Sequence, residues 1–195
     1  MNTGSTKFTS PRLVGLWPKK EELLAIILIV FAVGSRLLPH PANFAPIAAV
    51  GIFSAFVFKN KLLKFGVPMI AMFLSDAIIG FYAWPIMLAV YLSFIISVLL
   101  GRELKKNPSI SNGAGVSLLA SLQFYLITNL AVFLFTPMYS KNIQGLINCF
   151  YLALPFFRNT ILGDLFYTGA IFGLYFGLKY LLTYLRHSRF HTSEV

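Results

Sequence analysis

Apolar residues fall into long runs along the chain, and short polar or proline-containing segments separate these runs. Six runs are long enough to form membrane helices, and they cover residues 23–38, 44–58, 62–81, 85–101, 114–135 and 160–182. A helix needs about 20 apolar residues to cross the hydrocarbon core of a bilayer. The pattern predicts an all-α integral membrane protein of about six transmembrane helices over residues 23–182. A polar tail (1–22) precedes this domain and a basic tail (183–195) follows it.

The connection between the fifth and sixth runs, residues 136–159, is apolar but contains Pro137 and Pro155. Proline interrupts helices because it lacks an N–H donor and its ring clashes with the preceding turn. We therefore expect a separate short helix over residues 143–154, lying in the headgroup region of the membrane. The sixth transmembrane helix would begin after Pro155.

Basic residues lie on alternate connections. Thirteen of the sixteen Lys and Arg residues fall in the two tails, in the 59–64 or 102–106 connection, or at Lys179 close to the second tail, and the exceptions are Arg36, Lys141 and Arg158. Cytoplasmic segments of membrane proteins are enriched in Lys and Arg. This asymmetry predicts that both termini face the cytoplasm, as expected for a multi-pass protein of the bacterial inner membrane.

Composition supports the membrane assignment and excludes several functions. The 195 residues are 57% hydrophobic and 11% charged, whereas soluble domains are about a quarter charged. The net charge of +10 follows from the cytoplasmic segments, so nucleic acid is not an expected partner. The single cysteine, Cys149, cannot form an internal disulfide. No motif for metal, cofactor or nucleotide binding is present, so the chain cannot use ATP by itself.

Outside the basic connections, nearly every ionisable residue lies at one level, near the predicted outer surface. The ionisable residues at this level are Arg36, His40, Asp76, Arg158 and Asp164, with Asn43, Trp84 and Asn159 near them in the sequence. Ionisable residues at membrane depth are costly, so they usually face a cavity or one another. Arg36 therefore either pairs with Asp76 or Asp164 to hold helices together, or belongs to a binding site, and the two roles are compatible.

The segment Pro39-His40-Pro41 interrupts two short helices. Irregular backbone at membrane depth is tolerated where it lines a wet cavity, and transporters bind substrates at such segments. An ordinary tight turn on the outer surface is the alternative.

Two further patterns indicate helix packing. Ser117, Ser121, Tyr125 and Thr128 or Asn129 share one face of the fifth helix, which either packs in the bundle or lines a cavity. Gly169, Gly173 and Gly177 form a small-residue motif that allows a helix of this chain or of a partner to approach closely, and Gly51 and Ala55 form a weaker one.

Three blocks of sequence resemble a family of small bacterial integral membrane proteins that is uncharacterised and is assigned to transport. The blocks are Arg36 to Ile47 (with the pattern Arg-x-x-Pro-His-Pro-x-Asn-Phe), Leu74 to Tyr82, and Gly145 to Asp164. The family is similar in architecture to the substrate-binding S components of energy-coupling factor transporters. The resemblance implies a six-helix bundle that takes up a solute from outside, with a transmembrane coupling subunit and ATPases as partners.

These observations lead to two hypotheses of different classes. In the first, the chain is a substrate-binding transport protein that takes up a small polar solute. Its site lies between the first, third and sixth helices and contains Arg36, His40, Asn43, Asp76, Trp84, Asn159 and Asp164. Arg36 and His40 would attract an anionic or polar group, Asp76 and Asp164 would accept donors, and Trp84 would cover an apolar part. In the second, the chain is a structural or assembly protein whose polar cluster holds helices together.

An enzyme is not expected. Two aspartates on different helices are typical of aspartyl intramembrane proteases, but Ile161 occupies the position of the first glycine in their Gly-x-Gly-Asp motif. That reading remains a distant third.

Overall fold

A computed structural model describes residues 20–191, and every regular element within this range is a helix. The helices are α1 (Lys20–Leu37), α2 (Ile47–Val57), α3 (Lys61–Ile79), α4 (Trp84–Leu104), α5 (Ile110–Phe135) and α6 (Ile143–His191). The all-helical class predicted from the sequence is confirmed. The first predicted tail lies largely outside the described range, although α1 begins within it, whereas α6 continues through residues 183–191 of the second.

Four of the helices, α3, α4, α5 and the Ile143–Leu181 part of α6, are long and apolar enough to cross a membrane. The helix α1 has 18 residues and carries Lys20, Glu21, Glu22 and Arg36 near its ends, whereas α2 has only 11 residues. Many large apolar side chains of the long helices are exposed on the outside of the bundle. An exterior of this kind fits a lipid environment, in which backbone groups are satisfied within each helix.

The short interfacial helix and the break at Pro155 were predicted wrongly. Residues 143–191 form one continuous helix that contains Pro155. Proline removes one hydrogen bond of the helix, and α5 packs against α6 on both sides of it. The Tyr125 hydroxyl of α5 donates to the Phe150 carbonyl at 2.7 Å, and its ring stacks on Phe157 with centroids 4.4 Å apart. These tertiary contacts stabilise a continuous helix across Pro155, a residue that would end an isolated helix.

The centre of the bundle is α2, which packs against α3, α4 and α6. Residues 47–55 of this helix are all buried. A helix that is apolar on every side is expected to be buried, and the sequence of α2 contains one hydroxyl, Ser54, as its only polar side chain. Pro46 precedes the helix, where the lack of an N–H has no cost.

Glycine allows α2 and α4 to come into backbone contact. A Cβ atom at Gly101 would lie 2.6 Å from the Cα and the carbonyl oxygen of Ile52, and one at Gly51 would lie 3.3 Å from Val98. By contrast, no heavy atom of another described element lies within 4 Å of a Cβ built at Gly169, Gly173 or Gly177. The glycine motif of α6 therefore makes no close helix contact within the described chain, whereas the weaker motif of α2 does.

We predict that Gly101→Ala lowers the midpoint of thermal unfolding in detergent, because α2 and α4 must separate to admit the methyl group. Overpacking of this kind costs about 1–3 kcal/mol. Gly173→Ala is the matched control, since its methyl group meets open space and alanine favours the helix. Equal midpoints for the two variants would contradict the observed helix contact.

Candidate functional site

Arg36, in the last turn of α1, forms an ion pair with Asp76 near the end of α3. Its Nη1 atom lies 2.8 Å from Asp76 Oδ1, also donates to the Ser75 hydroxyl, and lies 3.2 Å from the Met72 sulfur. The other carboxylate oxygen, Oδ2, accepts a hydrogen bond from the Tyr91 hydroxyl of α4 at 3.0 Å. Each oxygen of the Asp76 carboxylate thus accepts a hydrogen bond from a neighbouring side chain, and the Asp76 side chain is only 2% exposed.

The sequence allowed Asp76 or Asp164 as the partner of Arg36, and in the structure Arg36 pairs with Asp76. A buried charge is stable only when a counter-charge and hydrogen bonds replace its hydration. The carboxylate of Asp76 supplies the charge, and Ser75 and Tyr91 complete the hydrogen bonding. This cluster joins α1, α3 and α4 at the end of the bundle where the 38–46 and 80–83 connections lie.

Asp164 lies in α6 and is 3% exposed. The Ser121 hydroxyl of α5 donates to its Oδ2 atom at 2.6 Å. One turn earlier in α5 and one turn later in α6, the hydroxyls of Ser117 and Thr168 lie 3.4 Å apart. The polar stripe of α5 therefore faces α6, and Ser121 in this stripe supports the carboxylate of Asp164.

The connection between α1 and α2, residues 38–46, folds over the end of α6. Asn43 has a positive φ of 64°, a conformation that asparagine tolerates better than most residues. The side-chain amide of Asn159 donates to the Ala42 carbonyl at 3.1 Å. A Cβ at Gly163 would lie 3.1 Å from the Cα of Phe44, so glycine allows this segment to lie against α6.

His40 also lies in this connection, and its Nδ1 atom is 2.8 Å from the Pro41 carbonyl. A carbonyl oxygen only accepts hydrogen bonds, so Nδ1 carries the proton that it donates. In the neutral ring, Nε2 is then a free acceptor.

A cavity of about 300 Å³ lies beneath this connection, and residues from all six helices line it. Its polar lining consists of Arg36, His40, Asn43, Tyr82, Thr160 and Asp164. Its apolar lining consists of Ala45, Ile47, Ala48, Met72, Val90, Phe94 and Phe124. The volume is at the lower end of the range for small-molecule sites, which usually combine apolar walls with a few polar groups.

The structure brings four of the seven predicted site residues to this cavity: Arg36, His40, Asn43 and Asp164. Asp76 lies behind Arg36 and does not line it, and Asn159 holds the overlying connection through Ala42. Trp84 begins α4, is 70% exposed and is not part of the cavity lining.

Sequence reasoning did not identify Tyr82, Thr160, Phe94 and Phe124 as lining residues. Tyr82 lies in the second sequence block, with Leu74 and Asp76, and Thr160 follows Asn159, so proximity to polar residues was an available signal. Phe94 and Phe124 are two of the 20 phenylalanines of the chain, and no local sequence pattern distinguished them from the others. Burial raises the pKa of Tyr82 to about 12, with a further contribution from Asp76, so the phenol stays protonated and able to donate.

A second cavity, of about 540 Å³, lies near the connection between α4 and α5. Its lining is mainly apolar and includes Ile110, Ala114, Gly169, Phe172 and Gly173. It contains no ionisable side chain among the described residues, so the chemistry of the chain is concentrated in the smaller cavity. Groups of three or more His, Cys, Asp or Glu that could hold a metal ion are absent from residues 20–191.

Within residues 20–191, fold and site together define an all-helical bundle with an apolar exterior and a cavity lined by charged residues. The chain belongs to a family of unknown function, DUF6580, whose model matches residues 18–185. Comparison with curated proteins and with solved structures finds no match for the chain.

We predict that Asp76→Ala strongly lowers thermal stability in detergent, because Arg36 would remain buried without a counter-charge. Breaking one side of a buried ion pair typically costs about 3–5 kcal/mol. The double variant Arg36→Met with Asp76→Leu removes both charges and should recover part of the loss. Glu103→Gln, which removes the exposed pair with Lys106, is the control and should not shift the midpoint measurably. A double variant less stable than Asp76→Ala would argue against the pair.

Proposed function

We propose that this protein is an integral membrane transport protein that binds a small polar solute in the charged cavity. The observation that carries the proposal is a cavity of about 300 Å³ with Arg36, His40 and Asp164 on its walls, inside a bundle with an apolar exterior. Ionisable groups are costly within a membrane and usually mark a substrate or ion pathway.

The length of α2 supports a cavity below the membrane surface. Eleven residues of helix extend about 17 Å at 1.5 Å per residue. The hydrocarbon core of a bilayer is about 30 Å thick. In a membrane, the 38–46 connection would therefore lie below the surface, where irregular backbone is tolerated when it lines a wet cavity. Broken segments of this kind hold the substrate in many transporters.

The topology that we propose has six crossings, with both termini in the cytoplasm of a bacterium and the cavity toward the outer face of the inner membrane. The distribution of Lys and Arg supports this orientation. The cavity lies at the end of the bundle that carries His40 and Tyr82, and the basic connections 58–60 and 105–109 lie at the other end.

We further propose that the chain acts as a substrate-binding subunit of the S-component type. Its sequence carries no nucleotide-binding motif, so uptake driven by ATP would need a transmembrane coupling subunit with ATPases.

A structural or assembly protein is the second candidate. The observation that favours it is the Arg36–Asp76 pair, which joins α1 to α3 and would do so with or without a ligand. This candidate leaves the cavity without a role, and the two candidates differ in whether a small molecule is retained.

The first test is mass spectrometry of small molecules and proteins that co-purify with the tagged chain in mild detergent. We expect a metabolite enriched over an unrelated membrane protein purified in parallel. Ala45→Trp should abolish the enrichment by filling the cavity, whereas Ala114→Trp, which fills the apolar cavity, should retain it. Recovery of a membrane subunit with ATPases would support the S-component role. A wild-type preparation without any enriched metabolite would contradict ligand binding and favour the structural candidate.

The proposed orientation is tested with a membrane-impermeant maleimide on intact spheroplasts. In a Cys149→Ala background, a cysteine at Ala83 should be labelled from outside, because it lies in the α3–α4 connection. A cysteine at Asn107, in the α4–α5 connection, should be labelled only after lysis. Both positions are exposed, so the reverse pattern would invert the topology.

A further inference from the structure

The charges around the cavity are not balanced. The charge of Arg36 is neutralised by Asp76, which lies outside the cavity lining. Asp164 lines the cavity and forms no ion pair within the described part of the chain. Asp164 is therefore the acidic group of the cavity lining whose carboxylate no cation of the described chain balances.

The carboxylate of Asp164 has hydrogen-bonding capacity that the protein does not use. Ser121 donates to Oδ2, while Oδ1 accepts no hydrogen bond from the described residues. An ionised carboxylate removed from water without a cation is unstable. A cationic ligand in the cavity would supply both the missing charge and the missing donor.

The remaining walls suit the body of an organic cation. Phe94 and Phe124 lie against each other with ring centroids 5.4 Å apart, and both line the cavity. Aromatic faces attract ammonium groups through their quadrupoles. Ile47, Ala48 and Val90 add apolar surface, and the free Nε2 of His40 adds an acceptor for an N–H group.

Resting on the proposed function, we propose that the solute bound in this cavity is a small organic cation. It is an amine with an apolar or aromatic body, whose ammonium group binds Asp164. An anionic solute would meet an uncompensated carboxylate, because the arginine at the cavity is already paired. A neutral, sugar-like solute would leave the carboxylate of Asp164 without a counter-charge.

The test uses three probes with one carbon skeleton and different charge: phenethylammonium, 2-phenylethanol and phenylacetate. Their binding to the purified wild-type protein in detergent is measured at neutral pH by isothermal titration calorimetry. We expect phenethylammonium to bind at least ten-fold more tightly than 2-phenylethanol, and phenylacetate more weakly than either. This comparison within the wild-type protein does not depend on the folding of any variant.

The variant Asp164→Asn keeps the shape of the side chain and an acceptor for Ser121, and it should reduce the affinity for phenethylammonium to that for 2-phenylethanol. Glu103→Gln removes the same charge from an exposed site outside the cavity and should leave the preference unchanged. A preference that persists in Asp164→Asn would overturn the proposal, because detergent or another residue would then be its source.

The remaining outcomes separate this proposal from the transport proposal. If all three probes fail to bind, or if phenylacetate binds best, the organic-cation proposal is overturned. A neutral or anionic metabolite that co-purifies and is lost in Ala45→Trp would overturn it as well, while supporting transport. Absence of both a co-purifying metabolite and probe binding would remove both proposals.

Discussion

The ion pair between Arg36 and Asp76 is the interaction on which the organisation of the cavity depends. It fixes the end of α1 against α3 and sets the point from which the 38–46 connection leaves toward α2. It also removes the positive charge of Arg36 from the electrostatic balance of the cavity, because the two charges lie 2.8 Å apart. The carboxylate of Asp164, which lies on α6 in the same cavity, then determines the charge that a ligand encounters.

The cavity exists because the helices around it differ in length and in side-chain size. The helix α2 has only 11 residues, and alanines at positions 45 and 48 leave space that larger side chains would fill. The 38–46 connection covers this space and is held to α6 by the Asn159 amide and by the ring of Phe44, which lies 5.4 Å from that of Tyr167. Polar groups at this depth retain access to the cavity, which makes their burial tolerable.

The apolar runs of the sequence predicted the all-helical class, and four of the helices are long and apolar enough to cross a membrane. The prediction failed at Pro155, where contacts from Tyr125, distant in sequence, maintain the helix. The scarcity of polar residues in an apolar chain pointed to Arg36, His40, Asn43 and Asp164, which all line the cavity. The sequence did not distinguish a lining residue from a supporting one such as Asp76, since that distinction depends on how α1 and α3 are rotated about their axes. Nor did it identify Phe94 and Phe124, since many phenylalanines in the chain face outward.

The backbone contact at Gly101 has a mechanical consequence. Where Ile52 of α2 touches α4 without intervening side chains, the two helices cannot slide or tilt against each other without a steric clash. They act as a single rigid body that forms one wall of the cavity. Any change in the volume of the cavity must therefore come from displacement of the other walls, which are supplied by the 38–46 and 80–83 connections and by α1, α3, α5 and α6.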